Sequence, residues 1–252
     1  MLNVHYKQKQ LMKNSIVGFV AYLMSISIGM AQANTIGTTG KWGSQIFLSD
    51  VNGRAFENKY DGIVGSPYFL PDFKSATIYM SNGKQYDHVK AKLNLEAHEV
   101  VFIDAKGQEG YIGKGLVTNL IINDTNSNGI NRYMFTSGYS KIDNQTNLSF
   151  YQLLKPGGIV ELLKFINKII EERGNELSGE KSKEFITRET LYIREGGVMQ
   201  RVKKDKAFFA AIFAKRPKEF NDYILANKVN FKNEEDLKKL LTYYDSFFKI
   251  EY

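Results

Sequence analysis

Cysteine is absent from the 252 residues. That removes disulfides, thiol nucleophiles, zinc–thiolate centres and a lipid anchor on an N-terminal cysteine from consideration. Proline is scarce, with two of its four residues at Pro67 and Pro71, and histidine numbers only three. No helical His-Glu-x-x-His spacing occurs, and His88 and His98, beside Asp87, Glu96 and Glu99, read as surface histidines next to a turn. The one long apolar run, Ile16 to Met30, is shorter than the roughly 20 residues that cross a bilayer. Charge of one sign hardly dominates. The formal net charge is +7, part of it from Lys7, Lys9 and Lys13, and a surplus so mild beside 27 acidic residues gives no basis for nucleic acid as a partner.

What is present begins with those first residues. Lysines, an apolar run and then Ala31-Gln32-Ala33 follow the three-part order of a secretory signal peptide, so residues 1–33 are expected to be cleaved. The chain from Asn34 is then an exported protein, periplasmic or extracellular, with no membrane span after cleavage. Fifteen tyrosines and seventeen phenylalanines favour pleated, half-buried surfaces and hence β-structure.

Glycine turns punctuate residues 34–166. Asn82-Gly83, Lys106-Gly107, Asn128-Gly129 and Pro156-Gly157-Gly158 each separate apolar runs, the hairpin signal. Alternation is clearest from Gln85 to Leu95, where Val89, Ala91, Leu93 and Leu95 share one face and His88, Lys90, Lys92 and Asn94 the other. The expected fold is α+β: an antiparallel β-meander or partly closed β-roll over 34–166, a polar connection over 167–189, and a hairpin with a small helical cap over 190–252. Asn233 is the expected cap of the last helix, followed by Glu234, Glu235 and Asp236 in its first turn and an apolar stripe Leu237, Leu240, Leu241, Tyr244 and Phe248. Pro217 suits the first turn of the helix before it. That helical period also rules out a terminal strand of an outer-membrane barrel, despite Tyr252 at the end.

Two stretches, Gly65-Ser66-Pro67-Tyr68-Phe69-Leu70 with Ala76 through Tyr86 and Lys92-Leu93-Asn94-Leu95, and "KEFNDYILANKVNFKNEEDLKKLLTYYD" near the end, resemble exported proteins of unknown function from Bacteroidetes-type Gram-negative bacteria. The resemblance implies export and carries no activity with it.

Candidate sites are few. Asp124, Asn126 and Asn128 stand at the first, third and fifth positions of a calcium loop, with Gly129 at the sixth. Phe135 occupies the twelfth place, where an EF-hand needs a bidentate glutamate, so the stretch reads as a hairpin turn first, with calcium as a weak cofactor candidate. Ser178 to Lys181 has a serine–lysine spacing without the Lys-Thr-Gly strand that such hydrolases require. Tyr68, Phe69 and Phe73 are candidate ligand-binding rings, a platform for a glycan or an envelope protein if exposed and a core layer if buried. The functional expectation is a non-catalytic envelope protein acting by binding. The alternatives are a carboxylate-dependent hydrolase of glycan or peptide and a calcium-stabilised secreted module.

Overall fold

The computed structural model describes residues 34–35, 59–127, 129–174 and 181–248. The expected signal peptide, residues 1–33, lies outside them. The described residues belong to one compact unit.

The fold is α+β. Ten strands lie on one hydrogen-bonded path. In chain order they are β3 (Lys74–Met80), β4 (Gln85–Asn94), β5 (Glu99–Ile103), β6 (Glu109–Ile112), β7 (Val117–Asn126), β8 (Gly129–Thr136), β9 (Tyr151–Lys155), β10 (Val160–Gly174), β11 (Lys181–Glu195) and β12 (Val198–Arg201). Two short strands, β1 (Asn34–Thr35) and β2 (Ile63–Val64), add parallel ladders to β4 and β11 and make the sheet mixed. Spatial order is β12-β11-β10-β9-β8-β7-β3-β4-β5-β6. The run of neighbours is therefore not a simple meander: after β6 the chain returns to the free edge of β3 and continues outward from there.

Alternation along β4 places Val89, Ala91, Leu93 and Leu95 in the core, as expected. The other face of the strand departs from expectation, because Lys92 and Asn94 are buried too. Residues 59–73 fold over that face and cover both. Pro67 helps to set how they do so. The Leu95 amide donates to the Pro67 carbonyl at 2.8 Å, but Pro67 has no N–H to return, and the Leu95 carbonyl instead accepts from the Lys168 amide at 3.3 Å. The Lys168 ammonium then donates to the carbonyls of Ser66 and Tyr68, at 2.6 and 2.8 Å.

The domain boundaries expected at 166/167 and 189/190 fall inside single strands. β10 and β11 pair without a break from Val160↔Glu195 to Gly174↔Lys181, so the described residues of the expected polar connection, 167–174 and 181–189, are the distal half of a long strand pair. Its polarity has a physical cause. Ion pairs stand along both arms, Arg188 with Glu171, Lys181 with Glu172 and Arg173 with Glu184, in a ribbon with little apolar burial on either face.

Three helices follow: α1 (Lys206–Ile212), α2 (Pro217–Ala226) and α3 (Glu234–Ser246). Asp205 caps α1 by accepting from the Phe208 amide, and Asn233 caps α3 by accepting from the amides of Glu235 and Asp236. Their apolar faces, with Phe209, Phe220, Leu237, Leu240, Leu241 and Tyr244 buried, close on Val160, Leu162, Leu191 and Ile193. Among the described residues no helix is long and apolar enough to cross a membrane.

Candidate functional site

Where β9 turns into β10 the chain runs Lys155-Pro156-Gly157-Gly158-Ile159. Gly157 and Gly158 have φ of +69° and +81°, two left-handed residues in succession, a geometry that only glycine adopts at little cost. The turn wraps the carboxylate of Asp245, which arrives from the last turn of α3. Asp245 Oδ1 accepts from the amides of Ile159 and Val160 at 3.0 and 3.2 Å. Its Oδ2 is paired with the Lys155 ammonium, which also donates to the carbonyls of Gly157 and Val160 at 3.1 and 2.8 Å. The two side chains are only 9% and 15% exposed, so this pair is largely withdrawn from water. A Cβ on Gly158 would stand 1.8 Å from Asp245 Oδ2, so the turn is shaped around the carboxylate.

The helix alone does not favour this arrangement. A carboxylate in a last turn lies at the negative end of the helix dipole, and α3 has no basic residue there to offset it. The compensating cation comes from the sheet instead.

Beside this pair lies an open groove of about 930 Å³, walled by Leu154, Ile159, Lys238, Thr242 and Phe248. A smaller hollow of about 350 Å³ shares Gly158 and Ile159 and continues to Glu161, Arg194 and the β11–β12 turn at Gly196 and Gly197. Ile159 and Phe248 expose 42% and 39% of their surface at the rim of the larger groove, enough to present apolar area to a ligand. The acids lining these spaces, Asp245 and Glu161, are each ion-paired, to Lys155 and to Arg194 at 3.0 Å.

The candidate rings are divided by the fold. Phe69 turns into the core, edge-on to Tyr133 and Phe135 with centroids 4.9 Å away. Tyr68 and Phe73 instead clamp the buried Lys92 ammonium at 4.0 and 4.1 Å from their ring centres. Burial, with Tyr111 and Glu109 nearby, holds the Tyr68 hydroxyl well above its ordinary range. These rings enclose an internal cation rather than a free surface. Next to them Glu96 takes hydrogen bonds from Lys59 and Tyr60, at 2.8 and 2.7 Å. Burial works to raise the Glu96 carboxyl, but those bonds outweigh it and leave it lowered.

The calcium-like stretch is the β7–β8 hairpin, in register Asp124↔Asn131 and Asn126↔Gly129, and Asn128 lies outside the described residues. Asp124 is 2.9 Å from the Lys74 ammonium, so that carboxylate already has a cation. Among the described residues no group of three or more His, Asp or Glu side chains could hold a metal ion. Lys181 sits in β11 paired with Glu172, while Ser178 lies outside the described residues.

His98 differs from the surface reading. Its ring stacks on Phe165 at 4.9 Å, Nδ1 accepts from the Phe150 amide at 3.3 Å, and Nε2 is shut off from solvent. In the cluster that Phe165 joins, the Tyr192 hydroxyl donates to Asp143 at 2.6 Å, and the hydroxyl of the fully buried Tyr151 has no hydrogen-bond partner among the described residues.

Neither Lys155 nor Asp245 belongs to a recognisable motif in the sequence. The signals that could have found them are local: a Pro-Gly-Gly turn that needs something to wrap, and an aspartate at the wrong end of a helix. No protein-family model, curated protein or solved structure matches the chain.

Proposed function

We propose that this is an exported, non-catalytic protein of the periplasm or cell envelope that acts by binding, with the groove beside Lys155 and Asp245 as its binding site. One observation carries the reading. The groove has the size of a ligand pocket, yet its acid Asp245 and Glu161 of the adjoining hollow are both held in ion pairs, so it offers contacts without a free carboxylate for proton transfer. A carboxylate-dependent hydrolase needs the opposite, two acids poised across a cleft. The export half of the proposal rests on residues 1–33 and on the resemblance to exported proteins. The partner we favour is an envelope protein or glycan.

We also read the sheet as a partly closed roll. Residues 113–116 alone join β6 to β7, with three strands between them in the sheet order. Laid flat, those strands would stand about 19 Å apart, whereas five Cα steps reach at most about 18 Å. Curling brings the two ends together and leaves the groove outside the roll, at the mouth of the β9–β10 turn.

The test is incubation with a panel of envelope glycans and peptides, reading both turnover and binding. Binding without turnover, weakened by Thr242→Arg at the groove wall, is the expected result. Turnover that disappears in Asp245→Asn would overturn the reading.

A further inference from the structure

We infer that the Lys155–Val160 turn is a carboxylate receptor in its own right, that Asp245 is its resident ligand, and that a small free carboxylate takes the same seat when the Asp245 side chain is removed. The donors match that planar group. Two neighbouring amides meet one oxygen at 3.0 and 3.2 Å, and an ammonium meets the other, so both oxygens are bound by a fixed set of three donors.

The donor set is arranged by the turn rather than by α3. Lys155 is tethered to the carbonyls of Gly157 and Val160, both within the turn itself, which aims its ammonium inward whether or not Asp245 is there. The left-handed backbone of Gly157 and Gly158 is likewise local. At Gly158 the missing Cβ leaves the space that a carboxylate oxygen occupies.

Asp245, by contrast, opposes the dipole of its own helix, so the carboxylate answers to the receptor and not to α3. Truncating it leaves a buried ammonium and two amides facing a vacated volume the size of a carboxylate. Lys155 and Asp245 both line the groove, so that volume is open to a ligand arriving from solution. The ligand class is a small carboxylate, and formate is the smallest probe of it. The route of entry rests on the reading of the groove as a binding site, whereas the formate test addresses the turn alone.

The experiment compares thermal melting of the protein carrying Asp245→Ala in sodium formate and in sodium chloride at equal ionic strength. Occupancy of the seat raises the melting temperature in formate saturably, by about 3–5 °C at ten times the dissociation constant. The wild-type chain, whose seat is full, and the Lys155→Met/Asp245→Ala variant, which lacks the cation, respond alike to the two salts. Should Asp245→Ala not fold in chloride, the same comparison is made on refolding, and formate restores the fold. A formate response no larger than that of wild type, or failure to refold in both salts, overturns the inference. Neither outcome bears on whether the groove binds a partner, which the panel measures separately.

Discussion

Lys155 and Asp245, 90 positions apart in the chain, are bound to each other at the end of the sheet and fasten the last helix to the β9–β10 turn. A buried ion pair of this kind is costly to break from one side, because the partner left behind is an uncompensated charge. Lys155→Met is therefore expected to lose about 3–5 kcal/mol. Replacing both, as Lys155→Met/Asp245→Leu, removes the stranded charge and costs clearly less. Urea unfolding of the two single variants and the double variant checks this, and additive losses would contradict it.

The two glycines of the turn differ in what a side chain would meet. Nothing lies within 4 Å of a Cβ at Gly157, so Gly157→Ala suffers only the left-handed backbone, about 1–2 kcal/mol. At Gly158 the same backbone cost is joined by a collision with Asp245 Oδ2. Gly158→Ala is expected to be the more damaging by a clear margin, and equal melting temperatures for the two variants would show that the turn does not close on Asp245.

His98 is expected to make the protein acid-sensitive. Burial pushes its imidazole down to about 4, from an ordinary value of 6.5, with Asn167, Lys114 and Glu96 as lesser influences. The unfolded chain binds the proton first, so the contribution is complete above pH 6.5 and drains away as pH falls toward 4. The full loss is about 3 kcal/mol. His98→Gln, whose amide oxygen can still accept from Phe150, should flatten the decline in urea midpoint between pH 7 and pH 4.5 relative to wild type. Parallel declines would remove His98 as the cause.

Calcium should leave the melting temperature unchanged up to millimolar concentration. Asp124 already faces Lys74, whose ammonium its hydrogen bond holds above the ordinary range. A calcium-dependent rise abolished by Asp124→Ala would restore the metal reading of that hairpin.

Much of this architecture is legible in the residues. β4 announces itself by alternation, and the last two helices by Asn233 and Pro217, because these are local effects of periodicity and capping. The distal hairpin is not legible, since its charges are paired across the ribbon and its apolar residues, Ile169-Ile170 and Phe185-Ile186, stand side by side rather than at alternate positions. Nor is β6, only four residues long, where Gly110 is needed because a Cβ there would be 2.9 Å from the Phe102 ring. Lys92 and Asn94 looked like solvent-facing residues because their cover, residues 59–73, comes from elsewhere in the chain. The groove and its ion pair are hidden for the same reason, being made by a turn and a helix that only the tertiary fold brings together.

Capture from envelope extract tests the central claim, binding through the groove, most directly. The protein without residues 1–33 and the same protein carrying Thr242→Arg and Ile159→Arg are immobilised side by side, after their melting temperatures are shown to match. The account predicts a partner or glycan retained by the first and lost from the second. An identical set retained by both, or nothing retained by either, would contradict it.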